Sequence, residues 1–259
     1  MHSPNLLVDP TWLESRIGNE RLRIADLRDP AAYAAGHIPT ALHVDLEALT
    51  HRRNGCDNML LPSPEFEELM SSLGIAGDDV LVAYDDHWGL PSSRLVWSLH
   101  RYGHRSAAIL NGGWDRWTEE RRPSDRTPAT NQRAIFQARL DEDVHADVSF
   151  VRRAIAQGDA ILLDTRSPAE FEAGHVPGAR GWDWFNAVPE HSWDCARDPG
   201  ELRSELASLG VHPGEEIVVY CRTGMRAAHS YVVLHHIGFP RVRLFDGSWQ
   251  EWSHAVQEP

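Results

Sequence analysis

The sequence predicts an α/β protein made of two tandem copies of one domain, each a mainly parallel sheet with helices on both faces. Three observations lead to this prediction. A sixteen-residue motif occurs twice, short apolar runs follow it in both halves, and helical patterns alternate with those runs. The length of 259 residues suits two domains of ordinary size.

The repeat consists of three blocks that occur in the same order in both halves. Residues 26–41 read DLRDPAAYAAGHIPTA and residues 164–179 read DTRSPAEFEAGHVPGA, an offset of 138. VLVAYDD at 80–86 matches IVVYCRT at 217–223 with Tyr84 on Tyr220, an offset of 136. GGWDRW at 112–117 matches GSWQEW at 247–252, an offset of 135. Three ordered blocks with so little drift indicate a duplicated domain.

Each copy alternates predicted strands and helices. Four apolar runs are typical of buried parallel strands: Leu22–Leu27, Val80–Tyr84, Ala160–Asp164 and Ile217–Tyr220. Four helical patterns end before a glycine, as helices often do: Ser63–Leu73, Ser92–Tyr102, Leu202–Leu209 and Ala227–Ile237. Ligands of parallel sheets bind beyond the carboxyl ends of the strands, so the residues after Tyr84 and Tyr220 are candidates for a site.

The segment between the copies predicts a linker. Residues 118–134 read TEERRPSDRTPATNQRA, which is polar, contains two prolines and lacks periodicity. We therefore predict a first domain over 1–120, a linker over 121–141 and a second domain over 142–259.

Composition excludes several classes of protein. The net charge of −13 argues against broad binding to nucleic acid or to an anionic membrane, and no apolar run reaches the roughly 20 residues that span a bilayer. Three cysteines do not make a secreted disulfide scaffold, and Met1–Ser15 does not resemble a secretory signal. We expect a cytoplasmic monomer. No zinc-site spacing is present among the cysteines and histidines, so no metal is expected.

The segment after Tyr220 has the composition of a reactive loop. Cys221-Arg222-Thr223-Gly224-Met225-Arg226 joins a predicted strand to a predicted helix. Backbone N–H groups converge in such loops, and the helix dipole and two arginines favour the thiolate form of a cysteine. A cysteine after a strand is more often a small core residue. The polar loop at the ligand end of the sheet favours a nucleophile that faces an anion.

The repeated D-x-R-x-P-x-x-[YF]-x-x-G-H-[IV]-P-x-A block, the Cys221 loop and the segment Asp246–Trp252 together resemble the rhodanese family of sulfurtransferases. The resemblance covers nearly the whole chain. It implies that the second domain is catalytic and that the Cys221 thiolate is converted to a persulfide. It further implies that residues 222–226 (Arg222, Thr223, Gly224, Met225 and Arg226) and Arg166 bind an anionic sulfur donor, without a metal or organic cofactor.

The first copy departs from the family pattern at the nucleophile. Asp85 stands in the place of Cys221, cannot carry sulfur and is expected to repel an anion, so the first domain is predicted to be catalytically silent. Asp45 corresponds to an acidic residue of mercaptopyruvate sulfurtransferases and is a possible contribution from the first domain. The histidine those enzymes carry nearby is replaced here by Asn58. Since His37 and His175 recur in both copies, we expect them to be structural.

Several functions fit this pattern. The leading one is transfer of sulfur from thiosulfate to a thiophilic acceptor such as cyanide or a cellular thiol. Arg222 and Arg226 make the loop basic, which suits the thiosulfate dianion, whereas 3-mercaptopyruvate enzymes typically have a Cys-Gly-Ser-Gly loop. The alternatives are 3-mercaptopyruvate sulfurtransferase, a phosphatase or arsenate reductase, and a non-enzymatic sulfur-binding module. Related phosphatases use Cys-x5-Arg, a loop one residue longer than this one.

Overall fold

The computed structural model describes residues 5–130 and 132–256. These residues group into two compact units. The first unit contains the residues up to Leu49 together with Leu61–Leu140 and Glu190–Cys195. The second contains Thr50–Leu60, Asp141–Pro189 and the residues from Ala196 onward. Each unit therefore includes a short segment from the other half of the sequence.

The first half of the chain forms seven strands and five helices in the described residues. In order they are β1 (Leu7–Val8), α1 (Pro10–Glu14), β2 (Leu22–Asp26), α2 (Pro30–Ala35), β3 (Leu42–His43), β4 (Thr50–Arg53), β5 (Cys56–Leu60), α3 (Ser63–Ser72), β6 (Val80–Tyr84), α4 (Leu90–Arg101), β7 (Ala107–Leu110) and α5 (Gly113–Glu119).

The second half repeats the pattern with five strands and five helices in the described residues. In order they are β8 (His145–Ala146), α6 (Val148–Gln157), β9 (Ile161–Asp164), α7 (Pro168–Glu172), β10 (Arg180–Gly181), α8 (Pro199–Ser208), β11 (Ile217–Tyr220), α9 (Met225–His236), β12 (Val242–Phe245) and α10 (Ser248–Ala255).

Each unit contains a five-stranded parallel sheet, which confirms the predicted fold class. The order is β1-β7-β6-β2-β3 in the first unit and β10-β9-β11-β12-β8 in the second, and every pairing in both sheets is parallel. Every residue of the central strands β6 and β11 is buried, as expected for strands covered on both faces. The loops after Tyr84 and Tyr220 thus leave the carboxyl ends of central strands.

Helix capping explains two differences from the predicted boundaries. α8 begins three residues earlier than predicted because the Asp198 carboxylate accepts hydrogen bonds from the N–H groups of Gly200 and Glu201, and Pro199 suits the first helical position. α4 begins two residues early because Gly89 adopts φ +82° and turns the chain into the helix.

An antiparallel hairpin, β4–β5, was not predicted. Asn54 and Gly55 at its turn have φ angles of +53° and +79°, and Asn-Gly is a strong hairpin signal in sequence. The hairpin packs within the second unit, where the Leu60 N–H donates to the Asp246 carboxylate over 2.9 Å and the Asp57 N–H donates to Gln250 over 3.0 Å. Residues from the first half of the sequence therefore lie beside the C-terminal motif.

The predicted linker lies against the first unit. In its described residues it has no helix or strand, only a single bridge between Asp125 and His37. The Phe136 side chain is buried there, and the Arg139 N–H donates to the carbonyl of Tyr102. Over residues 5–130 and 132–256, no helix is long and apolar enough to cross a membrane.

Candidate active site

Cys221 lies directly after β11, at the start of the loop that leads into α9, and only 1% of the residue is exposed. Residues of the C-terminal motif form hydrogen bonds with both the backbone N–H and the backbone carbonyl of Cys221. Its N–H donates to the Ser248 hydroxyl over 3.1 Å, and its carbonyl accepts from the Trp249 N–H over 2.9 Å. The Ser248 hydroxyl donates in turn to the carbonyl of Phe245. The GSWQEW block therefore holds the backbone of the candidate nucleophile.

The loop presents backbone N–H groups at the start of α9. Gly224 adopts the left-handed conformation at φ +84°, and the helix begins at the next residue. The N–H groups of Thr223, Gly224 and Ala227 have no hydrogen-bond acceptor among residues 5–130 and 132–256. Such groups at a helix N-terminus favour a negative charge.

The corresponding loop of the first unit shows what such N–H groups bind. One oxygen of the Asp85 carboxylate accepts from the N–H groups of His87 and Gly89 at 2.7 and 2.9 Å, and the other accepts from Ser92 at 3.0 Å. The carbonyl of Asp85 accepts from Trp114, as that of Cys221 does from Trp249. Asp85 was expected to repel an anion. The structure refines this, because the Asp85 side chain is itself the anion that the loop binds.

The two loops differ in length. Gly89 is the fourth residue after Asp85, whereas Gly224 is the third after Cys221, and both start helices with positive φ. This extra residue accounts for the fall in the repeat offset from 136 to 135. Allowing for it, His87, Gly89 and Ser92 correspond to Thr223, Gly224 and Ala227.

Arg226 makes a bidentate ion pair with Glu170 at the beginning of α9. Its two terminal nitrogens donate to the two carboxylate oxygens over 2.7 and 2.8 Å. These hydrogen bonds lower the pKa of Glu170 to about 2, although burial opposes the shift. The same bonds raise the pKa of the Arg226 guanidinium, and the charge and hydrogen bonding of Cys221 raise it further. Arg226 therefore interacts with both the Glu170 carboxylate and Cys221, the candidate nucleophile.

Arg222 and Thr223 complete the loop. Arg222 is exposed, has no carboxylate partner in the described part of the chain, and borders a cavity of about 440 Å³ with Trp249 and His254. The Thr223 hydroxyl accepts a hydrogen bond of 3.1 Å from the amide of Asn58, in the hairpin. The loop thus contains one guanidinium without an acidic partner and one paired guanidinium.

Arg166 belongs to a buried ion pair that both copies share. Its guanidinium donates to the Asp164 carboxylate and to the carbonyl of Gly174, and it stacks on Trp249 with 4.6 Å to the ring centroid. Arg28 makes the same contacts to Asp26, Gly36 and Trp114 in the first unit. This pair therefore stabilises the fold of both units, and substrate binding by Arg166 stays a prediction.

Comparison with known proteins supports the family that the motifs suggested. The model of the rhodanese-like domain matches residues 9–120 and 147–255. The chain belongs to the rhodanese family of sulfurtransferases. A thiosulfate sulfurtransferase of Corynebacterium glutamicum is 32% identical over 99% of this chain and 90% of its own, and the sulfur carrier protein TtuD of Thermus thermophilus is 31% identical over 99% and 96%.

A solved structure agrees with this rhodanese assignment. The 3-mercaptopyruvate sulfurtransferase SseA of Escherichia coli is 28% identical, with a TM-score of 0.85 over 95% of this chain and 99% of its own. The two tandem domains and the sulfurtransferase class predicted from the motifs are thereby confirmed. As a sulfurtransferase, this rhodanese chain takes sulfur from a donor and passes it to an acceptor.

The other predicted residues of the rhodanese chain make their described contacts within their own units. Asp45 belongs to the first unit, where its carboxylate accepts from the Glu47 N–H, and its contribution to catalysis stays a prediction. His37 and His175 stack on Tyr33 and Phe171 and bond to their carbonyls. No cluster of three or more His, Cys, Asp or Glu in the described ranges is placed to hold a metal ion.

The remaining two cysteines, Cys56 and Cys195, are buried, although their polar neighbours in sequence are typical of surface loops. Both residues are only 2% exposed. Cys56 packs in the hairpin of the second unit. Cys195 lies in the first unit, where its thiol donates to the carbonyl of Leu110, and burial raises its pKa to about 12. Their polar neighbours in sequence did not reveal this, because the packing comes from distant segments.

Sequence reasoning missed two residues that contact the Cys221 loop. The sequence identifies Asn58 only as a replacement for a histidine, whereas in the structure its side-chain amide donates to the Thr223 hydroxyl. Glu170 was not singled out, although a signal for it existed in the repeat. Glu170 aligns with Ala32 and Arg226 aligns with Pro91, so the two charges occur together only in the copy with the cysteine.

Placing a cysteine in the first unit should not create a second active site. We expect the Asp85→Cys, Cys221→Ser double variant to show no sulfur transfer from thiosulfate to cyanide, because the Asp85 loop is one residue longer and has Pro91 instead of an arginine. Assays of thiocyanate formation check this, with Asp85→Cys alone, which retains Cys221, as the positive control. Turnover by the double variant would contradict this, because it would show that the first unit lacks activity only because it has no cysteine at position 85.

The Glu170–Arg226 pair should resist acid. A glutamate ordinarily titrates near pH 4.3, whereas Glu170 has a pKa of about 2. Because its folded-state pKa is lowered, the pair stabilises the second unit fully above about pH 4.3 and loses its effect as the pH falls through about 2. Carbon-13 NMR of the side-chain carboxyl should show this midpoint, with Glu170→Gln used for assignment. A midpoint above 4 would contradict the ion pair.

Proposed function

We propose that the protein is a thiosulfate sulfurtransferase, which transfers sulfur from thiosulfate to a thiophilic acceptor such as cyanide or a thiol through a persulfide on Cys221. The observation that supports this most is the bound carboxylate of Asp85 at the equivalent position. It indicates that the loop binds a side chain whose negative charge lies at its tip.

A cysteine persulfide has such a tip. The oxygens of an aspartate lie two bonds beyond Cβ, and so does the outer sulfur of Cys–S–S⁻. The N–H groups that hold Asp85 correspond to those of Thr223, Gly224 and Ala227, which have no protein acceptor among residues 5–130 and 132–256. We infer that these three groups stabilise the outer sulfur of the persulfide, as preorganised N–H donors stabilise other anions.

The reaction then has two steps. The Cys221 thiolate attacks the outer sulfur of thiosulfate, a sulfur–sulfur bond forms, the bond within thiosulfate breaks, and sulfite leaves with the electron pair. Cyanide next attacks the outer sulfur of the persulfide, giving thiocyanate and restoring the thiolate. This is double-displacement covalent catalysis, and no proton has to be transferred in either step.

The charges of the loop favour thiosulfate as the donor. Arg222 is available to a small dianion, and Arg226 lies next to the cysteine. A donor such as 3-mercaptopyruvate needs a proton for its departing enolate, and an arginine is a poor source of one. The relatives named thiosulfate sulfurtransferase, at 30–32% identity, are consistent with this choice. We further propose that domain 142–259 performs the reaction. Domain 1–120, which precedes it together with the linker over 121–141, is catalytically silent in this proposal. We propose that the protein acts in the cytoplasm.

Kinetics with both donors test the proposal. Wild-type protein is assayed with thiosulfate and with 3-mercaptopyruvate at one fixed cyanide concentration, and mass spectrometry follows the Cys221 peptide after incubation with each donor. We expect a higher kcat/KM for thiosulfate and one added sulfur on Cys221. A higher kcat/KM for 3-mercaptopyruvate would overturn the choice of donor. Absence of sulfur on Cys221 with either donor would overturn the function itself.

A further inference from the structure

A chain of contacts connects Cys221 to the start of α7. Arg226 belongs to the same loop as Cys221, five residues on, and donates two hydrogen bonds to Glu170. Glu170 and Cys221 together raise the pKa of its guanidinium. Glu170 is itself fixed, because one of its oxygens also accepts from the N–H and the hydroxyl of Ser167, each over 3.1 Å. Ser167 caps α7, and the two residues form a reciprocal capping box. The guanidinium beside the nucleophile is thus held by a carboxylate that is anchored to a helix end.

The first copy shows that the fold does not require this pair. Ala32 and Pro91 stand at the positions of Glu170 and Arg226. The helices that contain them, α2 and α4, form nevertheless and have nearly the lengths of α7 and α9. Asp29 caps α2 without a glutamate three residues on. The pair is therefore specific to the copy that has the cysteine.

The buried Asp–Arg pair gives the opposite pattern within the same molecule. Asp26–Arg28 and Asp164–Arg166 occur in both copies with the same geometry. A pair that stabilises the domain is thus retained whether or not the loop has a nucleophile. The Glu170–Arg226 pair, in contrast, is present only in the copy that has Cys221. This is expected if the pair supports the reaction of Cys221 and not the fold.

We propose that Glu170 is a positioning residue, which holds the guanidinium of Arg226 against the sulfur of Cys221. This inference rests on the proposed persulfide chemistry. An arginine side chain has many rotamers, and a bidentate carboxylate selects one of them. The thiolate and the persulfide then have a cation at a fixed place when each forms. Glu170 bonds to Arg226 and not to Cys221, so in this arrangement the guanidinium is the member of the pair that acts on the sulfur.

The test compares four variants. Glu170→Ala removes the carboxylate, and Glu170→Gln retains the shape and one acceptor for Ser167. The double variant Glu170→Arg, Arg226→Glu keeps an ion pair but puts the carboxylate beside Cys221. Glu172→Ala, an exposed glutamate at the end of the same helix, is the matched control. Melting temperatures establish that each variant is folded.

Two measurements distinguish positioning from a merely structural role. The first is the rate of Cys221 alkylation by iodoacetamide as a function of pH, and the second is the single-turnover rate of persulfide formation with thiosulfate. We expect Glu170→Ala to slow persulfide formation at least tenfold and to move the midpoint of the alkylation profile to higher pH. Glu170→Gln should give a smaller change in the same direction, and Glu172→Ala should match the wild type.

The reversed pair provides the decisive comparison. We expect it to keep a melting temperature close to that of the wild type and yet to react more slowly than Glu170→Ala. If Glu170→Ala, Glu170→Gln and the reversed pair all alkylate and load sulfur as the wild type does, Glu170 has no positioning role. If the wild type itself takes up no sulfur, the proposed function fails, while the alkylation profiles still decide whether Glu170 positions Arg226.

Discussion

Replacing Cys221 by serine should abolish sulfur transfer and leave both units folded. The change is nearly isosteric, and the backbone bonds to Ser248 and Trp249 do not involve the side chain. A serine hydroxyl is not ionised near neutral pH and cannot form a persulfide. Thiocyanate formation from thiosulfate and cyanide should fall to the rate without enzyme. Circular dichroism and the melting temperature should match those of the wild type.

The other two cysteines serve as internal controls for this result. Cys56 and Cys195 are buried, and burial is the main cause that raises the pKa of each thiol. After incubation of the wild type with thiosulfate, the added sulfur should appear on the Cys221 peptide. Sulfur on Cys56 or Cys195 with an unmodified Cys221 would refute the assignment of the nucleophile.

Arg226→Ala should lower kcat/KM for thiosulfate at least tenfold and raise its KM. The variant removes the cation beside Cys221 and also leaves the Glu170 carboxylate unpaired near an anionic donor. A hydrogen bond to a charged group is worth roughly 1.5–3 kcal/mol, and about 1.4 kcal/mol corresponds to a factor of ten. Steady-state kinetics over a range of thiosulfate concentrations measure the effect.

Arg241→Ala is a suitable control for this variant. Arg241 pairs with Glu216 in the same unit but is largely exposed and belongs to the loop before β12, so its removal should leave the kinetics unchanged. Unchanged thiosulfate kinetics in Arg226→Ala would show that the loop binds its donor without this guanidinium.

The internal repeat is the reason that the fold could be predicted so far from one sequence. The central strands β6 and β11 were predicted at the residues where they occur, because buried parallel strands are continuously apolar. The Cys221 loop could be located because strand, loop and helix are contiguous in sequence. The glycine at its left-handed turn is part of the same short motif.

Contacts between distant segments could not be predicted in this way. Asn58 and Thr223 are 165 residues apart, and nothing local indicates that the hairpin packs in the second unit. Glu170 and Arg226 are 56 residues apart. For that pair the repeat did contain information, since both charges are missing from the first copy. Comparing the copies for residues that change together would have identified it.

Under the proposed mechanism, the Asp85 carboxylate in the first unit is a permanent counterpart of the negatively charged persulfide on Cys221. A protein persulfide is consumed by the next acceptor it meets, whereas an aspartate in the same kind of loop persists indefinitely. The first unit thus resembles the intermediate of the proposed reaction, because its loop already binds a negative charge. A Cys221→Asp variant would place the same permanent negative charge in the second unit. Acceptors would then meet an analogue of the persulfide form that has no sulfur to transfer.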